Sequence, residues 1–315
     1  MRISEYFNLQ GRSQADFEFV NLLTTTDNKL FIDPTRMRAE RRFQLWAEKV
    51  DRFHHTVFEL YRNGNQIEAK ELFINSGESN EIFLGYSQGL PGGTGNSEDS
   101  LAQVYDYIEE QGLYDDRLIE NAEDLMLFIP NFGPDHLSDF IASVIKSELV
   151  DFTIEQADQH NMPRDLEFTF SYWDIDSQEW NERTERIPQV DGRPLVLLPK
   201  EIVVQEYLIG PDEYLKKVVL TWRQQEHRRI DSELHRNRAN QNYDFVAKKI
   251  IEEEELRNSD KTKKEYIIEQ TKANRDLLER ERSRIRNAQL GTDPNKLTDE
   301  EWDNLFDEIQ NNEEE

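Results

Sequence analysis

A chain of 315 residues with 38 Lys and Arg against 65 Asp and Glu carries a formal charge of −27. A field of that sign repels a phosphate backbone and argues against nucleic-acid binding by the surface at large. There is no Cys, which removes disulfides, thiolate nucleophiles and every Cys-based zinc or iron–sulfur site, and leaves carboxylates, histidines and backbone oxygens as the available metal ligands.

The 36% hydrophobic and 10% aromatic residues are enough for a real core. No window nears the roughly 18 uninterrupted apolar residues of a membrane span, and the first ten residues lack the apolar run of a signal peptide, so the expected location is cytoplasmic. Phe17, Phe19, Val20, Leu22 and Leu23 begin the apolar pattern, and Leu30-Phe31-Ile32 reads as a short buried strand stopped at Asp33-Pro34. A carboxylate at a strand end is easily aimed into a crevice, which makes Asp33 a candidate site residue. Beyond Thr35, the spacing of Phe43, Trp46, Val50, Phe53, Val57, Leu60 and Tyr61 predicts a helix that stops at Asn63-Gly64. A second, short helix covers Gln66 to Phe73. It carries Glu68 and Lys70, a Glu-x-Lys string that metal-dependent nucleases place on a core strand instead.

Gly85 to Ser100 contains five of the 13 glycines, no apolar periodicity and no basic residue. It matches neither a P-loop nor a dinucleotide-binding turn, because the lysine and the glycine spacing are both wrong. The expectation is a recognition loop that orders against another molecule, with Tyr86, Gly89, Leu90, Gly92, Gly93 and Gly95 as partner-binding positions; an ordinary mobile loop is the competing reading. Leu101, Val104, Tyr105 and Ile108 restore helical spacing as far as Gly112, and Leu125 to Ile129 is either a helix end or a strand.

Pro134 then opens the best-specified helix, predicted from Asp135 to about His160, with Leu137, Phe140, Ile141, Val144, Ile145, Leu149 and Phe152 on one face. Asp135 and Asp139 lie four residues apart on that helix, and His136 is three from Asp139, so an imidazole and a carboxylate can converge. Together with Asp33 these give a candidate catalytic set of Asp33, Asp135, His136 and Asp139. In an enzyme reading, Asp33, Asp135 and Asp139 would ligate Mg²⁺ or Mn²⁺. The alternative is helix capping by Asp135, with its neighbours at the surface.

After Met162-Pro163 the period drops to two: Leu166, Phe168 and Phe170 alternate with polar residues, and Trp180 to Ile187 reads as the partner strand beyond an Asp174 to Ser177 turn. Leu195 to Pro199 reads as another short buried strand. Residues 1–210 are thus predicted as a mixed α+β body, followed by a charged helical extension over 211–290 and an acidic end over 291–315. Asp244 to Leu290 is rich in helix formers without a clean heptad, so a coiled coil is left open. Leu297 to Ile309 forms a last helix whose Trp302 and Phe306 are candidate partner contacts, and Asn311 to Glu315 is expected to be disordered.

Four strings carry a resemblance: Leu30-Phe31-Ile32-Asp33-Pro34, Glu81-Ile82-Phe83-Leu84-Gly85-Tyr86-Ser87, Asn131-Phe132-Gly133-Pro134-Asp135-His136-Leu137-Ser138-Asp139-Phe140 and Pro194-Leu195-Val196-Leu197-Leu198-Pro199-Lys200. Spread over Leu30 to Lys200, they resemble a bacterial protein group associated with restriction and phage-defence loci. The resemblance implies a defence context and no particular reaction. The leading expectation is an intracellular phage-defence component that acts through protein interaction or effector control, with a protein partner from the same system. Two alternatives stand beside it: a metal-dependent nuclease or phosphoryl-transfer enzyme, and an acidic adaptor or nucleic-acid mimic whose tail binds a basic protein. Homo-oligomerisation and direct nucleic-acid binding stay open.

Overall fold

The computed structural model describes residues 1–11, 13–25, 28–76, 79–84, 97–240, 244–290 and 295–313. The fold is mixed α+β and resolves into two compact units. Unit 1 comprises Met1–Asp106, Phe132–Tyr207 and Asp293–Glu315; unit 2 comprises Tyr107–Asn131 and Leu208–Thr292. Both units are discontinuous in sequence. The acidic terminal segment therefore belongs to unit 1 and is no separate tail.

In chain order, unit 1 contains strand β1 (Phe31–Ile32), helices α1 (Pro34–Ala39) and α2 (Gln44–Arg62), helices α3 (Pro134–Val144) and α4 (Lys146–Gln159), and strands β2 (Leu166–Asp174), β3 (Glu179–Ile187) and β4 (Val203–Val204). Helices Gln66–Ile74 and Glu98–Glu110 lie between α2 and α3 in sequence. The predicted single helix from Asp135 bends at Ile145 (φ −96°, ψ 20°), where α3 ends and α4 begins. Hydrogen bonds from Ile145 N–H to Ile141 O and from Leu149 N–H to Ile145 O span the bend at 3.0 Å, so the chain changes direction without losing its ladder.

Strands β2 and β3 form a nine-residue antiparallel hairpin in register Leu166↔Ile187 to Asp174↔Glu179. Its turn is set by Asp174, whose Oδ1 accepts from the N–H groups of Asp176 and Ser177 at 2.8 and 3.1 Å. The core gathers around Phe53 of α2, whose ring lies 5.5 Å from Phe140, 5.3 Å from Trp173 and 5.7 Å from Trp180. Edge-to-face rings at such spacings add to the area they bury. Trp180 keeps its indole N–H satisfied by donating to Leu72 O at 3.0 Å.

Leu195 to Leu198 are fully buried, as expected of a strand, but they join no ladder. Leu195 N–H donates to Pro188 O, Val196 N–H to Glu81 O and Leu197 N–H to Thr153 Oγ1, while Leu198 O accepts from Val20 N–H. These four backbone groups each find a partner in a different segment, which satisfies them as a strand would.

Unit 2 contains helix Asp124–Phe128, a π-helical turn Tyr214–Val219 leading into α5 (Leu220–Arg229), α6 (Glu233–Arg238), the two-residue strands β5 (Ala239–Asn240) and β6 (Phe245–Val246), a second π-helical turn Glu253–Arg257, α7 (Lys263–Ala273) and α8 (Asp276–Leu290). The β5–β6 pair interrupts a region whose composition reads as mostly helical. Among the described residues no long coiled coil forms, because Thr262 begins α7 anew with a reciprocal cap to Glu265 and Asn274 ends it. The interior holds charge: Asp124 and Glu281 are each 1% exposed. Asp124 Oδ2 accepts from Arg282 Nη2 at 2.8 Å and from the N–H groups of Glu120 and Asn121, and Glu281 is gripped at both oxygens by Arg284.

The net charge is divided unequally. Unit 1 holds 42 acidic against 18 basic residues, a net −24, and unit 2 holds 23 against 20, a net −3.

Candidate functional site

The end of β1 places one predicted site residue, Asp33, beside the helix α3 that carries three others. β1 pairs antiparallel with β4, Phe31 opposite Val204 and Ile32 opposite Val203, and Asp33 N–H continues the pairing to Ile202 O at 2.8 Å. The other edge of this short strand is closed by side chains: Ile32 N–H donates to Ser138 Oγ at 3.1 Å, and Tyr207 donates its phenol to Ile32 O at 2.8 Å. Arg36 Nε reaches Glu201 O at 2.7 Å and ties α1 to the turn before β4.

Asp33 is buried, and it caps α1. Its Oδ1 accepts from Thr35 N–H at 2.8 Å and Thr35 Oγ1 at 2.7 Å, with Pro34 in the first helical position. Asp135, His136 and Asp139 are half-buried on α3. Asp135 sits in the first turn, where its charge favours the helix dipole, and the His136 ring lies 5.6 Å from that of Phe132. The residue that carries α3 to β1 is Ser138, which the sequence reading passed over between two acids. Among the described residues, no group of three or more His, Asp or Glu side chains is arranged to hold a metal ion, so Asp33, Asp135 and Asp139 are not gathered into a ligand set for Mg²⁺ or Mn²⁺.

The predicted partner-binding positions fall into two groups. Tyr86, Gly89, Leu90, Gly92, Gly93 and Gly95 lie outside the described residues. Trp302 and Phe306 belong to the terminal helix Asp299–Glu313 and are each 1% exposed, with their rings stacked at 6.1 Å. They are covered by unit 1 itself, a correction to their expected role as contacts for another protein. The helix runs on through Asn311 to Glu313, where disorder was expected; 314–315 lie outside the described residues.

What holds this helix down is a set of bonds from the other end of the chain. Arg2 places its guanidinium 5.6 Å over Phe306 and pairs with Asp303 at 2.7 Å and Asp307 at 2.6 Å. Asp303 also accepts from Ser13 Oγ and from Gln14 N–H, and Lys200 Nζ holds Asp299 at 2.6 Å. Burial opposes the Asp303 charge, and the donors Ser13, Gln14 and Arg2 outweigh it, holding the carboxyl below its ordinary range.

Sequence reasoning also missed a constellation in unit 2. His227, Ser232 and Glu255 hydrogen-bond in series, in a region expected only to be a charged helical extension. The signal available in sequence was weak, since His and Ser are five apart and Glu255 follows 28 residues after His227.

A family model described as a domain of unknown function, DUF8370, matches residues 8–209. The chain belongs to the DUF8370 family. The matched segment takes in β1 to β4 and the whole of the β1–α3 junction, while α5 to α8 of unit 2 lie beyond it. No curated protein and no solved structure matches the chain. Among the described residues, no helix is long and apolar enough to cross a membrane.

Proposed function

We propose that this DUF8370 protein is a cytoplasmic component of a bacterial phage-defence system that acts by binding another, basic protein through unit 1. The observation that supports this most is the charge imbalance of unit 1, net −24. At least ten of its 18 basic residues are already tied to carboxylates of the same unit: Arg2, Arg38, Arg42, Lys49, Lys70, Lys146, Arg164, Arg183, Lys200 and Lys296. Paired charges cancel at a distance, and the surplus carboxylates set the outer field, which steers a cationic partner and repels both nucleic acid and a second copy of the chain. Part of that surplus is exposed on the β2–β3 hairpin and its turn, at Glu167, Asp176, Glu179 and Glu182. The terminal helix, tied to Arg2 and Lys200, contributes to the surface and is no free tail.

The test is co-purification with the products of neighbouring genes, alongside phage challenge of a deletion strain. The expected results are a stoichiometric complex that weakens with added salt, reduced complex formation by the Glu167→Lys, Glu182→Lys double variant, and loss of protection on deletion. Full protection without the gene, or a chain that stays monomeric beside every neighbouring product, would sink the reading.

A further inference from the structure

We propose that unit 2 carries a serine nucleophile, Ser232, with His227 as its base, directed at the carbonyl of an uncharged carboxylic ester. This rests on unit 2 alone and is independent of the binding surface assigned to unit 1.

The arrangement begins with how α5 ends. Asp231 takes a left-handed conformation (φ 46°), its N–H bonds to Arg228 O, and Ser232 N–H bonds back to His227 O at 3.0 Å. In a helix ending of this kind the residue at the Ser232 position folds back onto the one at the His227 position, commonly as an apolar contact. Here the contact is polar: Ser232 Oγ lies 2.7 Å from His227 Nδ1. On the far side of the ring, His227 Nε2 lies 2.7 Å from Glu255 Oε1. Glu255 stands in the π-helical turn Glu253–Arg257, a rare wide turn that recurs at functional sites because it re-aims side chains.

Hydrogen-bond accounting assigns the tautomer. The Glu255 carboxylate only accepts, and at 2.7 Å it outcompetes the donor Arg223 Nη2 at 3.5 Å from the same nitrogen, so the neutral ring carries its proton on Nε2 and Nδ1 presents a lone pair to the Ser232 hydroxyl. This is the proton arrangement that a serine nucleophile requires. Glu255 is itself fixed: Arg223 donates to both its oxygens, at 2.9 and 2.6 Å, and Tyr266 donates its phenol at 2.5 Å. Burial opposes the Glu255 charge, and these donors outweigh it and hold the carboxyl below its ordinary range. His227 is 7% exposed, whereas Ser232 is half-buried, so the serine is the more accessible of the two residues.

Several charged side chains of the adjoining turns are matched with opposite charges. Arg228 pairs with Asp244, Arg229 with Glu226, and Asp231 with His235 and Arg236. That favours a neutral acyl group over a charged one. In the reaction, Ser232 Oγ bonds to the carbonyl carbon as its proton passes to His227 Nδ1. The ester C–O bond then breaks, and the departing alkoxide takes that proton and leaves as the alcohol. Water repeats the sequence at the acyl-serine, releasing the acid and restoring the Ser232 hydroxyl. Glu255 is a positioning residue that acts through His227.

The experiment treats the full-length protein with a fluorophosphonate probe, maps the modified peptide by mass spectrometry, and follows p-nitrophenyl acetate turnover. Ser232 also caps α6 by accepting from His235 N–H, so Ser232→Asn, which preserves a cap, is used beside Ser232→Ala. The expected result is a phosphonylated Ser232, no labelling in either Ser232 variant, and a loss of about 10²–10⁴-fold in labelling rate for His227→Asn. Glu255→Gln, whose amide can donate to Nε2 and so favour the other tautomer, should lower the labelling rate by about 10²–10⁴-fold, and Glu255→Asp should restore part of it. An unmodified Ser232 in a wild-type protein shown to be folded by circular dichroism, or labelling that His227→Asn leaves unchanged, overturns the proposal.

Discussion

Asp33 offers one oxygen to two donors of Thr35, so its removal leaves both without that acceptor at the start of a buried helical turn. Asp33→Ala is expected to lower the stability of the full chain by about 1–2 kcal/mol, and Asp33→Asn by less, as read from denaturant midpoints. Unchanged stability with lost phage protection would instead place the carboxylate in function. A second residue governs acid sensitivity. The His160 ring packs 5.2 Å from Phe17 and 5.8 Å from Phe19, and burial pulls its pKa below the ordinary histidine value, with Glu18 opposing. A depressed histidine favours the neutral form in the folded state, so its contribution is present above about pH 6.5 and is lost as pH falls through the folded value. Unfolding at pH 7.5 and pH 5 should therefore differ more for wild type than for His160→Phe; an equal difference would remove His160 as the cause. The strand-end position of Asp33 was legible because Pro34 pins the chain there, whereas its capping role depends on Thr35 two residues later. Ser138 was not legible at all: a hydroxyl between acids carries no pattern, and its partner is a backbone N–H 106 residues away.

At the scale of elements, the terminal helix shows how a distant contact changes the meaning of a local pattern. Trp302 and Phe306 lie one turn apart, which reads equally well as a docking stripe for another protein or for the chain itself. The choice is made by Arg2, Ser13 and Gln14, and no local periodicity can show that. Trp302→Ala is expected to destabilise unit 1 by about 3–5 kcal/mol, the range for truncating a large buried aromatic ring. Hydrogen exchange should then show lost protection both in Asp299–Glu313 and around Ile3–Tyr6; protection lost in the helix alone would mean that the two ends are not coupled. The α2 helix, its stop at Asn63-Gly64 and the β2–β3 hairpin were legible because their apolar periods extend over many residues. The bend at Ile145, the β5–β6 pair and the two π-helical turns were not, since each involves too few residues to establish a period. The His227–Ser232–Glu255 series depends on two of those short features, the ending of α5 and the turn at Glu253–Arg257.

At the scale of the whole molecule, salt should act in two opposite directions. Screening reaches about 10 Å at 0.1 M ionic strength, which relieves repulsion among the surplus carboxylates of unit 1. Moderate NaCl is thus expected to raise the unfolding midpoint of the isolated protein while it weakens the complex with a basic partner. Calorimetry and binding measured over the same salt series test both. A midpoint that falls with salt would mean that the ion pairs, and not the surplus charge, dominate unit 1.

The bond between Arg2 and Asp303 joins residues 301 positions apart. Polypeptides are made at roughly 5–20 residues per second, so a newly emerged Arg2 waits on the order of 15–60 s before its carboxylate exists. During that interval the site that will receive Trp302 and Phe306 stands open in the nascent chain. Unit 1 therefore closes only once Asp303 has been made, and that interval is when a chaperone has most to shield.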